Sequence, residues 1–350
     1  MRRKNVYLAG IAAGAAALLL CGCSASKADE GKQIQVGVAC YDKSDTFISS
    51  LIDCYREQIG QYREEGLSVT VTVLDAAGLQ RTQNDQIKEL LDAGCNVLCV
   101  NLVDRTDPSE IIDLARDRDV PIIFFNREPV AEDMSQWSGL YYVGAYAEQS
   151  GIMQGELAAE YIKENEDVDR NGDGKIQYVV LEGEPGHQDA IIRTENAVDT
   201  LKKNDIRLEK LSYGIANWSR AQAQNRMTQM IGQYPNEIEL VLANNDDMIL
   251  GAIDAYESLN IAEEKIPVFF GIDGTDVGLE AVLDGKVAGT VYNDKEGQAQ
   301  AMVKLTAALI TGEGMDEIAF ENEHYIYLPY AKITKENAAD FQEREAETGD

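Results

Sequence analysis

Residues 169–177 have the composition of a calcium-binding loop. Side-chain oxygens stand at loop positions 1, 3, 5 and 9, and a backbone carbonyl would serve at position 7. The expected ligands are Asp169, Asn171, Asp173, Lys175 (through its carbonyl) and Gln177. Gly174 allows the sharp turn at position 6, but position 12 is Val180 instead of glutamate. A carboxylate from elsewhere in the chain must therefore complete the site.

Polar side chains recur directly after the predicted strands. A strand ending at Leu181 leads into a turn with His187 and Asp189, and the helix that follows carries Arg193. Other residues of this kind are Asp45, Asn101, Asn126, Asn245, Asp273 and Asn293. Helix capping accounts for part of this pattern, because Asn and Asp are good N-caps. Since ligands of open α/β sheets bind at the carboxyl ends of strands, the whole set predicts one polar binding site.

The chemistry of this set suits a sugar. Hydroxyl groups both donate and accept hydrogen bonds, and carboxylate, amide, imidazole and guanidinium groups match them in defined geometry. The apolar faces of a sugar ring need flat partners, and Phe47 and Trp218 stand in predicted loops of opposite halves of the chain. Each aromatic residue taken alone would be interpreted as core packing.

The elements that position these residues follow an alternating pattern. Apolar, β-rich runs from Ile34–Cys40 to Tyr325–Leu328 alternate with helical segments such as 80–92. Several strands are continuous hydrophobic runs, as in parallel sheets covered by helices on both faces. The 350 residues can form two cores. The sequence predicts a doubly wound α/β fold in two lobes.

The composition and the N-terminal segment indicate where in the cell the protein acts. The net charge of −30 argues against binding nucleic acid or anionic lipid. A basic start and an apolar stretch precede Leu20-Cys21-Gly22-Cys23, which resembles a bacterial lipobox. We expect residues 1–23 to be a signal peptide ending in lipidated Cys23, followed by a tether at 24–32 and an extracytoplasmic, membrane-anchored protein. Cleavage without lipidation is the alternative. Cys40, Cys54, Cys95 and Cys99 are interpreted as free thiols, although a pairing stays open.

Several motifs resemble one family closely, the galactose/glucose-binding proteins of bacterial ABC sugar importers. The resemblance extends over nearly the whole mature chain. The motifs are Asn101-Leu-Val-Asp104, Phe124-Phe-Asn-Arg-Glu-Pro129, the loop 169–177 with Gly183-Glu-Pro-Gly-His187, Ala243-Asn-Asn-Asp246 and Gly289-Thr-Val-Tyr-Asn-Asp294. Lys175, where the family often has Gln, and Asp-Lys-Ser after Tyr41 depart from the family pattern.

The resemblance implies roles for individual residues. The sugar-binding residues would be Asp45, Phe47, Asn101, His187, Asp189, Arg193, Trp218, Asn245, Asp273 and Asn293. Glu239 would supply the distant carboxylate of a structural calcium site. The lobes would comprise residues 33–125 with 294–325 and residues 126–293 with 326–350, joined by three crossings near Phe125, Asn293 and Ile326. Closure of this hinge on D-galactose or D-glucose would present the protein to a membrane permease and, as a further partner, to a chemoreceptor or sensor kinase.

Two other functions are compatible with parts of the pattern. A secreted glycoside hydrolase would place two carboxyl groups across a glycosidic bond, for which Asp45, Asp189 and Asp273 are available. The mixture of these acids with amides and Arg193 favours binding without catalysis. A calcium-dependent surface module would use the loop 169–177 alone, but its position 12 is not acidic. The sequence therefore predicts a binding protein without enzymatic activity.

Overall fold

The computed structural model describes residues 33–63 and 68–342. The expected signal peptide, Cys23 and the tether at 24–32 lie outside these residues. Strands and helices alternate along the described chain, as the hydrophobic pattern predicts. Across that part of the chain, no helix has both the length and the apolar character that a bilayer crossing requires.

The secondary-structure elements follow the predicted order. The strands are β1 (Gln33–Cys40), β2 (Ser68–Asp75), β3 (Val97–Val100), β4 (Ile122–Phe125), β5 (Leu140–Ala145), β6 (Ile176–Glu182), β7 (Leu208–Ile215), β8 (Leu240–Ala243), β9 (Val268–Phe270), β10 (Gly289–Asn293), β11 (Tyr325–Leu328) and β12 (Tyr330–Thr334). The α-helices are α1 (Thr46–Ile59), α2 (Gln80–Asp92), α3 (Ser109–Arg116), α4 (Ala131–Met134), α5 (Ala147–Glu164), α6 (Gln188–Lys203), α7 (Arg220–Gln233), α8 (Asp246–Ser258), α9 (Asp276–Leu283) and α10 (Lys295–Thr311).

These strands form two six-stranded sheets. The first has the order β2-β1-β3-β4-β5-β11 and is parallel throughout. The second has the order β7-β6-β8-β9-β10-β12, in which β12 runs antiparallel to β10 and the other pairs are parallel. The predicted class, two doubly wound α/β lobes, is confirmed. The antiparallel edge strand β12 has no counterpart in the sequence prediction, because Pro329 interrupts the apolar pattern there.

Both faces of each sheet are covered by helices. In β3, Val97 and Cys99 pack in one apolar cluster with α1 and α10, whereas Leu98 and Val100 pack in another with α2 and α3. Successive side chains of a strand point to opposite faces, so a strand buried on both sides must be apolar at every position. Within the described residues, the four cysteines carry thiol groups and form no disulfide.

The first boundary between the lobes differs clearly from the predicted one, and the other two lie at or within a few residues of their predicted positions. β5 pairs with β4, with Tyr142 beside Phe124, so residues 126–145 belong to the first lobe and not to the second. The chain leaves the first sheet after Ala145, returns after Asn293, and leaves again between β11 and β12. The crossing expected near Phe125 is therefore wrong, whereas the crossing expected near Ile326 lies just beyond that residue, after Leu328. Which sheet a strand joins depends on its pairing partner, which its own residues do not specify.

Candidate ligand-binding site between the lobes

The carboxyl ends of strands from both sheets surround one cavity. Its lining residues are Asp45, Phe47, Ile48, Asn126, Arg127, His187, Asp189, Arg193, Trp218, Asn245 and Asp273. The first five belong to the first lobe and the others to the second. Parallel strands end at the same edge of each sheet, and the two edges face each other here. The cavity contains eight of the ten residues that the sequence indicated.

The other two predicted residues lie behind the cavity wall. Asn101 is fully buried, and its Nδ2 donates to the Phe125 carbonyl at 3.1 Å and to Asn126 Oδ1 at 3.3 Å. Asn293 Nδ2 lies 3.5 Å from Asp273 Oδ1. Both amides therefore orient residues that line the cavity. That either one contacts a ligand stays a prediction.

The first lobe presents a carboxylate at the start of a helix. Asp45 is the N-cap of α1, and its Oδ1 accepts from the Ile48 amide at 3.0 Å. Its Oδ2 accepts from the Tyr41 hydroxyl at 2.6 Å. A carboxylate has about four acceptor positions, so two bonds leave capacity for a ligand hydroxyl. Capping and binding are thus compatible in this residue.

A buried arginine organises the second lobe. Arg193 Nη1 donates to the Asn244 carbonyl at 2.6 Å and lies 3.7 Å from Asp273 Oδ1, and Nη2 donates to the Tyr330 hydroxyl at 3.1 Å. Burial alone would lower the pKa of Arg193, but Tyr330, Asp273 and Asp189 raise it, so the group stays charged. Burial raises the pKa of Asp273 well above its usual range, and the neighbouring Arg193 opposes that rise.

Two donors in this wall have no protein partner within the described residues. Arg193 Nε and Trp218 Nε1 are both buried, and neither donates a hydrogen bond to the described chain. Buried polar groups are nearly always hydrogen-bonded in native proteins. Both side chains line the cavity, so acceptor atoms of a ligand would satisfy them.

His187 is set to donate a hydrogen bond from one nitrogen. Burial lowers its pKa well below the usual value, with Arg127, Arg193 and Arg105 adding to the effect, so the ring is neutral at neutral pH. Its Nδ1 accepts from the Asp189 amide at 3.2 Å, which leaves the proton on Nε2. Burial also raises the pKa of Asp189, while the same three arginines lower it. An imidazole donor and a carboxylate thus stand side by side.

Three lining residues adopt left-handed backbone conformations that side chains rarely occupy. Asn126, Trp218 and Asp273 have φ values of 59°, 62° and 118°. The Asp273 backbone is fixed by its amide, which donates to the Val291 carbonyl at 2.8 Å, and by its carbonyl, which accepts from the Asn293 amide at 2.9 Å. Strain of this kind concentrates at ligand sites, where surrounding structure over-determines the backbone.

Sequence reasoning assigned no ligand role to three of the lining residues. Asn126 belonged to the strand-end pattern but received no role from the resemblance. Arg127 follows it directly, and its guanidinium lies 3.5 Å from the centre of the Tyr41 ring. Ile48 forms part of the apolar face of α1. The sequence feature that could have identified Arg127 as a lining residue is its position directly after a strand-end asparagine.

The loop 169–177 is held by hydrogen bonds between its own residues and to Glu239. Asp169 accepts from three loop amides, those of Gly172, Asp173 and Gly174. Gly172 and Gly174 supply the turns, with φ values of 71° and 77°. The Gln177 side chain accepts from Asn171 Nδ2 through Oε1 and donates to Asp173 Oδ2 through Nε2, both at 3.0 Å.

Glu239, which is distant in sequence from the loop, is joined to it by hydrogen bonds. Glu239 is 2% exposed and accepts from the amides of Arg170, Asn171 and Gln177. Burial raises its pKa. Hard oxygen donors of this kind fit Ca²⁺ in chemical type. The described residues nevertheless contain no group of three or more His, Cys, Asp or Glu side chains arranged to hold a metal, so the calcium site stays a prediction.

Comparison with known proteins identifies the family. Residues 36–314 match the family model described as a periplasmic binding protein domain. The D-galactose/methyl-galactoside binding periplasmic protein MglB of Haemophilus influenzae is 34% identical over 328 residues, 93% of this chain and 96% of that protein. A putative rhizopine-binding protein of Rhizobium meliloti is 29% identical, covering 84% and 92%. An ABC transporter solute-binding protein of Bacillus halodurans with bound myo-inositol has a TM-score of 0.74 at 27% identity, covering 91% and 99%.

The chain belongs to the periplasmic binding proteins of ABC importers, and the fold is their type I fold. It is a sugar-binding protein of the extracytoplasmic compartment. Its relatives are transport proteins and not enzymes, which removes the glycoside hydrolase alternative.

Proposed function

We propose that this protein binds D-galactose or D-glucose in the interlobe cavity and delivers it to an ABC permease by closure of the hinge. The observation that carries this proposal is the lining of one cavity by Asp45 and Phe47 from one lobe and by Asp189, Arg193 and Trp218 from the other. A ligand can drive closure only if it binds the closed form better, and groups from both lobes on one sugar provide that difference. The permease, or a chemoreceptor or sensor kinase, would then recognise the closed form.

A hexose fits the distribution of chemistry in the cavity. Phe47 and Trp218 offer flat apolar surfaces, and Arg193 and His187 supply donors. Asp45 and Asp189 supply acceptors. A ligand lacking one hydroxyl leaves a buried partner unsatisfied, which costs about 1–3 kcal/mol, or roughly 5- to 150-fold in affinity. The 34% identity to a galactose-binding protein agrees with this ligand class.

Isothermal titration with D-galactose, D-glucose, D-allose, D-ribose and myo-inositol tests the proposal. We expect one of the first two to bind most tightly, with one site per chain and no chemical change in the recovered sugar. D-ribose should bind at least tenfold more weakly, because it lacks the hydroxymethyl group of a hexopyranose. Tighter binding of myo-inositol or D-ribose than of both hexoses would refute the choice of sugar while leaving the family intact.

We propose further that the loop 169–177 binds Ca²⁺ with a structural role. Asp169, Asn171, Asp173, Gln177 and Glu239 would provide side-chain oxygens, and Lys175 its carbonyl. A metal that binds only the folded state at 100 times its Kd stabilises that state by about 2.7 kcal/mol. Calcium would therefore act on stability, since none of these residues lines the sugar cavity.

Calcium addition after chelation should raise the free energy of unfolding by roughly 2–3 kcal/mol at that excess. Chemical denaturation with EDTA, Ca²⁺ or Mg²⁺ measures the change, and the Asp173→Asn variant is the control that should lose most of it. The sugar Kd should be the same with and without the metal. Equal stability in EDTA and Ca²⁺ would show that the loop closes through its own hydrogen bonds alone.

We also propose that Cys23 is lipidated and anchors the protein to the outer face of the cell membrane. The support is the lipobox sequence Leu20-Cys21-Gly22-Cys23. In cells fed an alkyne fatty acid, the wild-type protein should carry the label and sediment with membranes. A Cys23→Ser variant should carry no label. An unlabelled, soluble wild-type protein would favour cleavage without lipidation.

A further inference from the structure

Two polar pairs join the lobes at the rim of the cavity. Arg127 Nη1 lies 3.0 Å from Glu184 Oε2, and the Thr46 hydroxyl donates to Asp247 Oδ2 at 2.6 Å. Arg127 and Thr46 follow β4 and β1 of the first sheet, whereas Glu184 and Asp247 follow β6 and β8 of the second. Each pair therefore forms only when the two lobes approach each other. We refer to these four residues as the clasp.

Arg127 is held in place by its own lobe. Its side chain is 4% exposed and covers the ring of Tyr41 at 3.5 Å from guanidinium carbon to ring centre. Nη1 also donates to the Val103 carbonyl at 3.0 Å. A guanidinium over an aromatic face is attracted by the ring quadrupole, and the planar group loses little further freedom when it meets a carboxylate. The first lobe thus presents a preorganised cation to Glu184.

The clasp is connected to residues that line the cavity. The hydroxyl of Tyr41, whose ring Arg127 covers, donates a hydrogen bond to Asp45 Oδ2 at 2.6 Å. Thr46 follows Asp45 directly in α1. On the other lobe, Glu184 precedes His187 in the same turn, and Asp247 lies in the first turn of α8, just after Asn245. Opening the lobes would break both pairs and separate the two halves of the site in one movement.

From this geometry we propose that the clasp stabilises the closed form before any sugar binds, and that Arg127 thereby sets the sugar affinity as a positioning residue. The part that concerns sugar affinity rests on the proposed function. The part that concerns closure does not, because it is a property of the sugar-free protein.

Linkage between closure and binding makes the proposal quantitative. When only the closed form holds the ligand fully, the apparent Kd equals the intrinsic Kd divided by the closed fraction. A variant that weakens only the clasp must therefore raise the apparent Kd by the factor by which it lowers the closed fraction of the sugar-free protein. A variant that removes only a sugar contact raises the Kd and leaves that fraction unchanged.

The test uses the full-length protein with two substitutions. Arg127→Met retains much of the apolar stem, and Thr46→Val removes the hydroxyl that donates to Asp247. Single-molecule FRET between one dye on each lobe measures the closed fraction without sugar. Titration with D-galactose and D-glucose gives the Kd, and stopped-flow mixing gives the association and dissociation rates. We expect Arg127→Met to lower the closed fraction roughly tenfold and to raise the Kd by the same factor, mainly through faster dissociation. Thr46→Val should act in the same direction with a smaller change.

Arg118→Met is the matched control, because Arg118 pairs with Asp92 on the surface of the first lobe alone. It should alter neither the closed fraction nor the Kd. A higher Kd in Arg127→Met with an unchanged closed fraction would overturn the proposal and make Arg127 a sugar contact. If Arg127→Met fails to fold, an unchanged closed fraction in Thr46→Val would also overturn it. If neither hexose binds, the proposed function fails, while the closed fractions still decide the role of the clasp.

Discussion

Replacing Gly183 with alanine should raise the sugar Kd at least about 100-fold. A Cβ at this position would fall within the Trp218 indole, so the ring must leave its place in the cavity wall. The indole lies edge-on to His187 with 5.1 Å between ring centres, and its movement would also disturb that donor. Overpacking of this kind costs about 1–3 kcal/mol, and loss of an aromatic partner for the sugar adds to it. Isothermal titration with the preferred hexose measures the effect.

Gly139→Ala is the matched control for this prediction. A Cβ there would overlap the indole of Trp137, the other tryptophan, which does not line the cavity. The control should lose stability in a similar way but retain the wild-type Kd. Equal Kd values for Gly183→Ala and the wild-type protein would show that the position of the Trp218 ring does not matter for binding.

Replacing Arg193 with methionine should lower the free energy of unfolding by about 3–5 kcal/mol and abolish sugar binding. The change removes the cation beside buried Asp273 and leaves the Asn244 carbonyl without its donor. Loss of one partner of a buried charge pair is strongly destabilising, because the Asp273 carboxyl must then either keep an uncompensated charge or take up a proton. Denaturant titration and calorimetry measure the two effects.

A double variant separates charge from packing. In Arg193→Met with Asp273→Asn, the uncompensated carboxylate is gone, so part of the lost stability should return while binding stays lost. Arg220→Met breaks an exposed pair with Asp254 in the same lobe and should cost no more than about 1 kcal/mol. If the double variant is less stable than Arg193→Met alone, the buried charge is not the cause of the destabilisation.

The sequence alone determined the class of fold and most of the candidate site. Strands such as β3 are apolar at every position because helices cover both faces, and that pattern is visible without coordinates. The parallel order of strands then brings their carboxyl ends together, so Asp45, His187 and Asp273 were predictable as neighbours although they lie far apart in the chain.

Tertiary structure alone decided which polar groups face the cavity and where the lobes divide. Asn101 and Asn293 have the same local pattern as Asn245, but only Asn245 lines the cavity. The packing around each strand end decides whether its polar side chain reaches the cavity or lies behind the wall. The sheet that β5 joins, and the meeting of Arg127 with Glu184, arise from contacts between distant segments. The physical reason is that hydrophobic periodicity is a local property of the chain, whereas strand pairing and interlobe contacts depend on three-dimensional proximity.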